Sequence, residues 1–165
     1  MPKLTTSRTA RRIAIPVLIS LISGAGWTIG VGSARAGVDT DLRAGVYMDA
    51  NAVGVGAGVL TPVGSDNRWF FNPNLEVGFG DNENLILMNG DFHYDLNQSR
   101  NMSFWMGAGP AVIVTDPSAG SSRTDVGLNV LTGLSGTSGS VRPFAQLKGI
   151  VADNSQVVLQ GGIRF

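Results

Sequence analysis

Few residues of this 165-residue chain have the type and spacing to do chemistry. His93, the single histidine, stands between Asp91 and Asp95 at i−2 and i+2. A histidine flanked by carboxylates can act as a general base or hold a metal. A metal site needs three or four converging ligands, however, and with no cysteine in the chain none is visible beyond this trio. His93 therefore reads as one member of a wider polar network, and neither metal nor cofactor is expected. The stretch "GVGAG", Gly54 to Gly58, has the look of a nucleotide loop, but no third glycine falls at the fingerprint spacing and no helix follows. It reads as glycine within a strand. The remaining chemistry is ionic. Arg43, Arg142, Lys148 and Arg164 interleave with Glu76, Asp91, Asp95 and Asp125, and ions of both signs that share one confined space must neutralise each other, because unpaired buried charge is costly.

Such groups share a space only if the chain brings them there, and its periodicity says how. Apolar residues recur at every second position, and turn-forming clusters interrupt them every dozen or so residues, which is an all-β pattern. Eight strands are expected: Asp41 to Met48, Ala52 to Thr61, Arg68 to Phe79, Leu85 to Leu96, Met102 to Thr115, Asp125 to Ser135, Val141 to Val151 and Gln156 to Phe165. Successive side chains of a strand point to opposite faces. One face carries residues such as Leu42, Val55, Leu75, Met88, Leu128 and Leu147 and no charge; the other holds every charged residue within the strands.

Alternation alone allows two barrels. A soluble one turns its apolar face inward, and a membrane one does the reverse. Three features favour the membrane form. The charged face has five acids (Asp41, Glu76, Asp91, Asp95, Asp125) and five bases (Arg43, Arg68, Arg142, Lys148, Arg164), a balance that suits ions confined to a lumen. Glycines crowd the same face, as a narrow interior filled by long polar side chains requires. With both termini periplasmic, Trp69, Phe71, Tyr94, Phe104 and Phe165 all fall near one rim, where an aromatic girdle belongs.

The first 36 residues read separately. Lys3, Arg8, Arg11 and Arg12 form a basic region, Ile13 to Ile22 an apolar one, and Ala34-Arg35-Ala36 a small-x-small cleavage site, together a secretory signal peptide that places the mature start at Gly37. A second cut is available after Ala25. An uncleaved anchor over Ile13 to Gly32 would be long enough to span a bilayer, but four glycines and Pro16 argue against it. Five basic residues precede Gly37, leaving seven bases against twelve acids and a net charge of −5. That excludes the basic surface of a nucleic-acid binder. After the leader no apolar run is long enough for a spanning helix, so any crossing must be made by strands.

The ending "VVLQGGIRF", with Leu159, Gly161, Ile163 and Phe165 in alternation, resembles the terminal strand of bacterial outer-membrane β-barrel proteins. The resemblance extends through "FNPNLEVGF" (Phe71 to Phe79), "NGDFHYDL" (Asn89 to Leu96), "DVGLNVLTG" (Asp125 to Gly133) and "VRPFAQLKG" (Val141 to Gly149), and so over nearly all of residues 37–165. These stretches look like the small porin-like, OmpA-type barrel domains. The resemblance implies an eight-stranded antiparallel up-and-down transmembrane β-barrel in the outer membrane, with lipid and the barrel-insertion machinery, which reads the last strand, as its partners. A monomer is expected, with no nucleic acid bound. Two departures from the family stand out: Pro73, Pro110 and Pro143 fall on the lipid-facing parity inside strands, where a lost ladder hydrogen bond has no substitute, and the outward loops (Asp49 to Asn51, Gly80 to Asn84, Asp116 to Thr124, Asp153 to Ser155) are short. Outer-membrane acyl hydrolases resemble this barrel in fold, but their chemistry needs a histidine that faces lipid, and His93 has the opposite parity. The function expected is therefore structural or a restricted passive pathway, not enzymatic, with the lumen plugged by the paired charges; removal of Arg142 should leave an acid unpaired and loosen the plug. The alternative is a barrel that binds lipid or a small apolar ligand, either in the membrane or, with its faces inverted, as a soluble periplasmic protein.

Overall fold

The computed structural model describes residues 37–98 and 101–165; the leader expected over residues 1–36 lies outside them. Eight strands follow in chain order: β1 (Asp39–Tyr47), β2 (Ala52–Val63), β3 (Trp69–Gly80), β4 (Glu83–Gln98), β5 (Met102–Pro117), β6 (Arg123–Gly136), β7 (Arg142–Val151) and β8 (Gln156–Arg164). Every boundary falls within two residues of its expected place. Each strand pairs antiparallel with the next, and β8 returns to pair with β1, closing an all-β barrel. The closure runs to the last residue: Thr40 and Phe165 exchange both backbone hydrogen bonds, at 2.9 and 3.0 Å. A closed ladder leaves no edge, which is the condition for strands to cross hydrocarbon.

The two faces separate as the alternation requires. Leu128, Val130, Leu147 and Leu159 lie on the outer wall, each about half exposed, whereas Asp41, Glu76, Asp91 and Lys148 are buried inside. The inverted arrangement, with apolar side chains inward and ions to water, is not the one adopted. At the end where β1 begins and β8 finishes, the termini end of the barrel, the connections run over residues 64–68, 99–101 and 137–141; at the far end they are 48–51, 81–82, 118–122 and 152–155. Four residues suffice for the β1–β2 turn because Asn51 takes a left-handed φ of 46°, a conformation that asparagine tolerates.

The prolines are accommodated without bulges. The β2–β3 register runs from Gly58↔Asn74 to Thr61↔Phe71 with its offset unchanged, and the ladder lapses only around Pro73. Asn72 Nδ2 then donates to the Val59 carbonyl at 3.0 Å, supplying a donor on the stretch where proline has none. Between β4 and β5 the ladder lapses in the same way beside Pro110, from Asn89↔Ala111 to Phe92↔Ala108. Here the backbones crowd together: a Cβ on Gly109 would sit 2.1 Å from the Gly90 carbonyl oxygen, so only glycine fits. Pro143 stands at the second position of β7, near the strand end where the loss matters least. The one register shift between β4 and β5 lies elsewhere, between Asp95 and Asn97.

Candidate functional site

The lumen holds the chemistry, in two strata. The central one is ionic and is built around Glu76 of β3. Its carboxylate accepts from Lys148 Nζ at 2.7 Å, from Tyr47 Oη at 2.5 Å and from Arg43 Nη1 at 3.5 Å. Strands β3 and β7 are four apart in a ring of eight, so the Glu76–Lys148 pair crosses the full width of the lumen. Both side chains are sealed from solvent, at 1% and 0% exposure. Arg43 turns its Nε and Nη2 edge to Asp41 Oδ1, at 2.8 and 2.6 Å, and Nη2 also reaches Asn72 Oδ1 at 2.8 Å.

Amides extend this stratum sideways. Asn129 Nδ2 donates to Asn89 Oδ1 at 2.9 Å, and Asn89 Nδ2 donates to Asn74 Oδ1 at 2.8 Å. Asp91 is held by the same amides: its Oδ1 accepts from Asn129 at 2.7 Å and its Oδ2 from Asn74 at 3.0 Å. The network is thus part ion pairs and part carboxamide relay. The asparagines stand on the inner parity beside the acids, which was the signal available for them in the sequence.

The second stratum is apolar and fills the far end of the lumen. Tyr47, Ala52, Leu85, Leu87, Ala111, Ile113, Ile150 and Val158 are buried there as one cluster. Its signal was the loss of alternation in "LILM" (Leu85 to Met88), "AVIV" (Ala111 to Val114) and "VVL" (Val157 to Leu159), where apolar residues occupy both faces. Two more large inward aromatics, Trp105 and Phe144, lie toward the termini end. Trp105 has room because position 133 is glycine: a Cβ there would lie 2.3 Å from Trp105 Cζ2.

Of the charged residues expected to share one network, Arg43, Glu76, Asp91 and Lys148 come together. The others do not join them. Arg142 sits half-buried at the termini rim, with Nη2 2.5 Å from Asp39 Oδ1, because β7 starts there and carries it outside the central stratum. Asp125 is at the opposite end, 3.6 Å from the exposed Arg123, since β6 begins at that rim. Arg68 precedes β3 and donates to Tyr94 Oη at 3.2 Å, so it lies outside the lumen. His93 stacks on Trp105, ring centroids 4.3 Å apart and planes at 2°. With Asp95 and Arg164 it lines a separate cavity at the termini end. No group of three or more His, Cys, Asp or Glu able to hold a metal occurs among the described residues.

The outer wall carries the remaining expected residues. Trp69 and Tyr94 pack with ring centroids 4.9 Å apart, Phe71 and Phe92 with centroids 4.8 Å apart, and Phe104 lies exposed at the start of β5. All of these stand toward the termini end. Leu159, Gly161 and Ile163 face outward along β8.

No family model matches the chain, and no curated protein matches it in sequence. Solved structures match it in fold. The chain is similar to Neisserial surface protein A, with a TM-score of 0.62 at 18% identity over 77% of this chain and 94% of that one. It is also similar to the N-terminal β-barrel domain of Pseudomonas aeruginosa OprF, with a TM-score of 0.61 at 14% identity, covering 78% and 96%. A de novo designed transmembrane β-barrel gives a TM-score of 0.53 at 15% identity, covering 81% and 97%. The fold is therefore that of the small eight-stranded outer-membrane barrels.

Proposed function

We propose that the protein is an integral outer-membrane barrel with a structural role, inserted with its termini end toward the periplasm, and that its lumen is closed to ions. The reading assigns it no catalytic role. Its outer wall supports the membrane assignment: between the rims it is apolar and uncharged, and soluble proteins rarely expose a contiguous apolar surface beyond about 600 Å². Lipid and the insertion machinery remain the partners this reading implies.

The observation that carries the closure is the serial arrangement of the two strata. An ion crossing the lumen would have to separate Lys148 from Glu76 and then enter a dry ring of Leu85, Leu87, Ile113 and Ile150. Apolar constrictions resist ions by excluding water. Barriers in series act like resistances in series, so removing one leaves the other in force. The parent is expected to show no steady conductance in a planar bilayer, and the neutral pair Glu76→Ala with Lys148→Ala should stay closed. Adding Leu87→Ala and Ile113→Ala should open a measurable current, with the heat-shifted gel band confirming that each variant folds. A steady current from the parent would end the proposal, and a fully open Glu76/Lys148 variant would end its serial form.

A further inference from the structure

Nine buried side-chain atoms among the described residues lack a hydrogen-bond partner, and five of them gather at the termini end: Arg164 Nε and Nη2, Ser103 Oγ, Trp105 Nε1 and His93 Nε2. Buried polar atoms without partners are rare enough to need a reason. Three of these four residues border one space. Arg164, Ser103 and His93 line a cavity of about 220 Å³, together with Ser135, Arg142 and Asp95. At ~30 Å³ per water, that is room for roughly seven waters, or for a small ligand group and a few of them.

Arg164 is only 5% exposed, and its guanidinium lies over two aromatic rings. The central carbon lies 4.7 Å from the Phe144 ring centroid and 5.5 Å from that of Trp105. A cation over ring faces spends no hydrogen-bond donor on them, so its N–H groups stay available. The edge formed by Nε and Nη2 is the fork that matches two oxygens of a carboxylate or phosphate. Arg43 shows the same edge filled, with both nitrogens on Asp41 Oδ1. In Arg164 no group among the described residues fills it. The other cation among the described lining residues, Arg142, is already engaged by Asp39, and Asp95 also has an interaction of its own.

We propose that this vestibule binds an oxyanion: one carboxylate or phosphate group held by Arg164 Nε and Nη2, with the Ser103 hydroxyl as a further donor. An acid in the wall, Asp95, disfavours ligands of high charge and favours a singly charged group. A free small anion and the phosphodiester of a lipid headgroup at the adjacent rim both offer this chemistry.

The test uses the full chain refolded in phosphate-free maltoside micelles, with ¹⁵N labelling to follow the Arg164 Nε–Hε resonance. Its assignment rests on loss of the peak in Arg164→Lys or on its proximity to the Trp105 ring, so that a misfolded Arg164→Lys does not stop the experiment. Sodium phosphate or sodium acetate should shift the peak saturably, and sodium chloride at matched ionic strength should not. Ser103→Ala should weaken the fitted affinity about fivefold, as loss of one hydrogen bond predicts. A shift produced by phosphatidylglycerol in the micelle but not by phosphate or acetate assigns the site to a headgroup. If the peak ignores every oxyanion, or follows chloride equally, the vestibule holds water only and the proposal is overturned.

Discussion

At the scale of single residues, charge alone does not rank the lumen's ions; depth does. Lys148 and Arg142 are both lumen-parity cations of β7, six residues apart. Lys148 is fully enclosed against Glu76, while Arg142 and its partner Asp39 keep about a quarter of their side chains in solvent. Removing one member of a buried pair strands the other and costs about 3–5 kcal/mol. Removing one member of a pair that water still reaches costs less, because solvent screens the charge left behind. Lys148→Ala should therefore lower the urea midpoint of the vesicle-inserted barrel far more than Arg142→Ala. Equal midpoints would refute the depth ranking. The same geometry withdraws the expectation that Arg142 secures the plug: its side chain does not reach the central stratum.

At the scale of the strand, what matters is which face meets which solvent. Val130 stands at the middle of β6 on the outer wall, 55% exposed, between Ala108 of β5 and Gly149 of β7. An arginine there would have to enter hydrocarbon, at about 2–4 kcal/mol near the bilayer midplane. Val130→Arg is expected to lose that much in a urea titration in vesicles, whereas Val141→Arg, in the turn before β7, should lose almost nothing. A Val130→Arg barrel as stable as the parent would mean that this wall faces water. The prolines belong to this scale too. A proline in a strand removes a donor, and the sheet answers with a side chain at Asn72 and with a bare backbone at Gly109 rather than with a change of register.

At the scale of the whole molecule, stability comes from closure. Each strand has two neighbours, so no strand can leave without breaking two ladders. The cross-lumen contacts of Glu76 with Lys148 and with Tyr47 tie distant strands together as well. Unfolding should be cooperative and slow in detergent at room temperature. Unboiled samples are expected to run as a compact band on a detergent gel and boiled ones as a slower, unfolded band. A single band under both conditions would contradict a closed barrel.

Strand number, strand limits to within two residues and the sorting of side chains into a charged and an uncharged face all followed from alternation, because a strand's side-chain period is two whatever surrounds it. Local order of that kind is written residue by residue. The partners were not. Which cation meets Glu76 depends on strands four apart around the ring, a relation that no spacing along the chain encodes. The apolar stratum was visible only as lapses of alternation in strands β4, β5 and β8, and it became a single layer once closure set those lapses at one height. The open edge of Arg164 was further out of reach, since an unfilled donor is defined by what the folded lumen fails to bring near it.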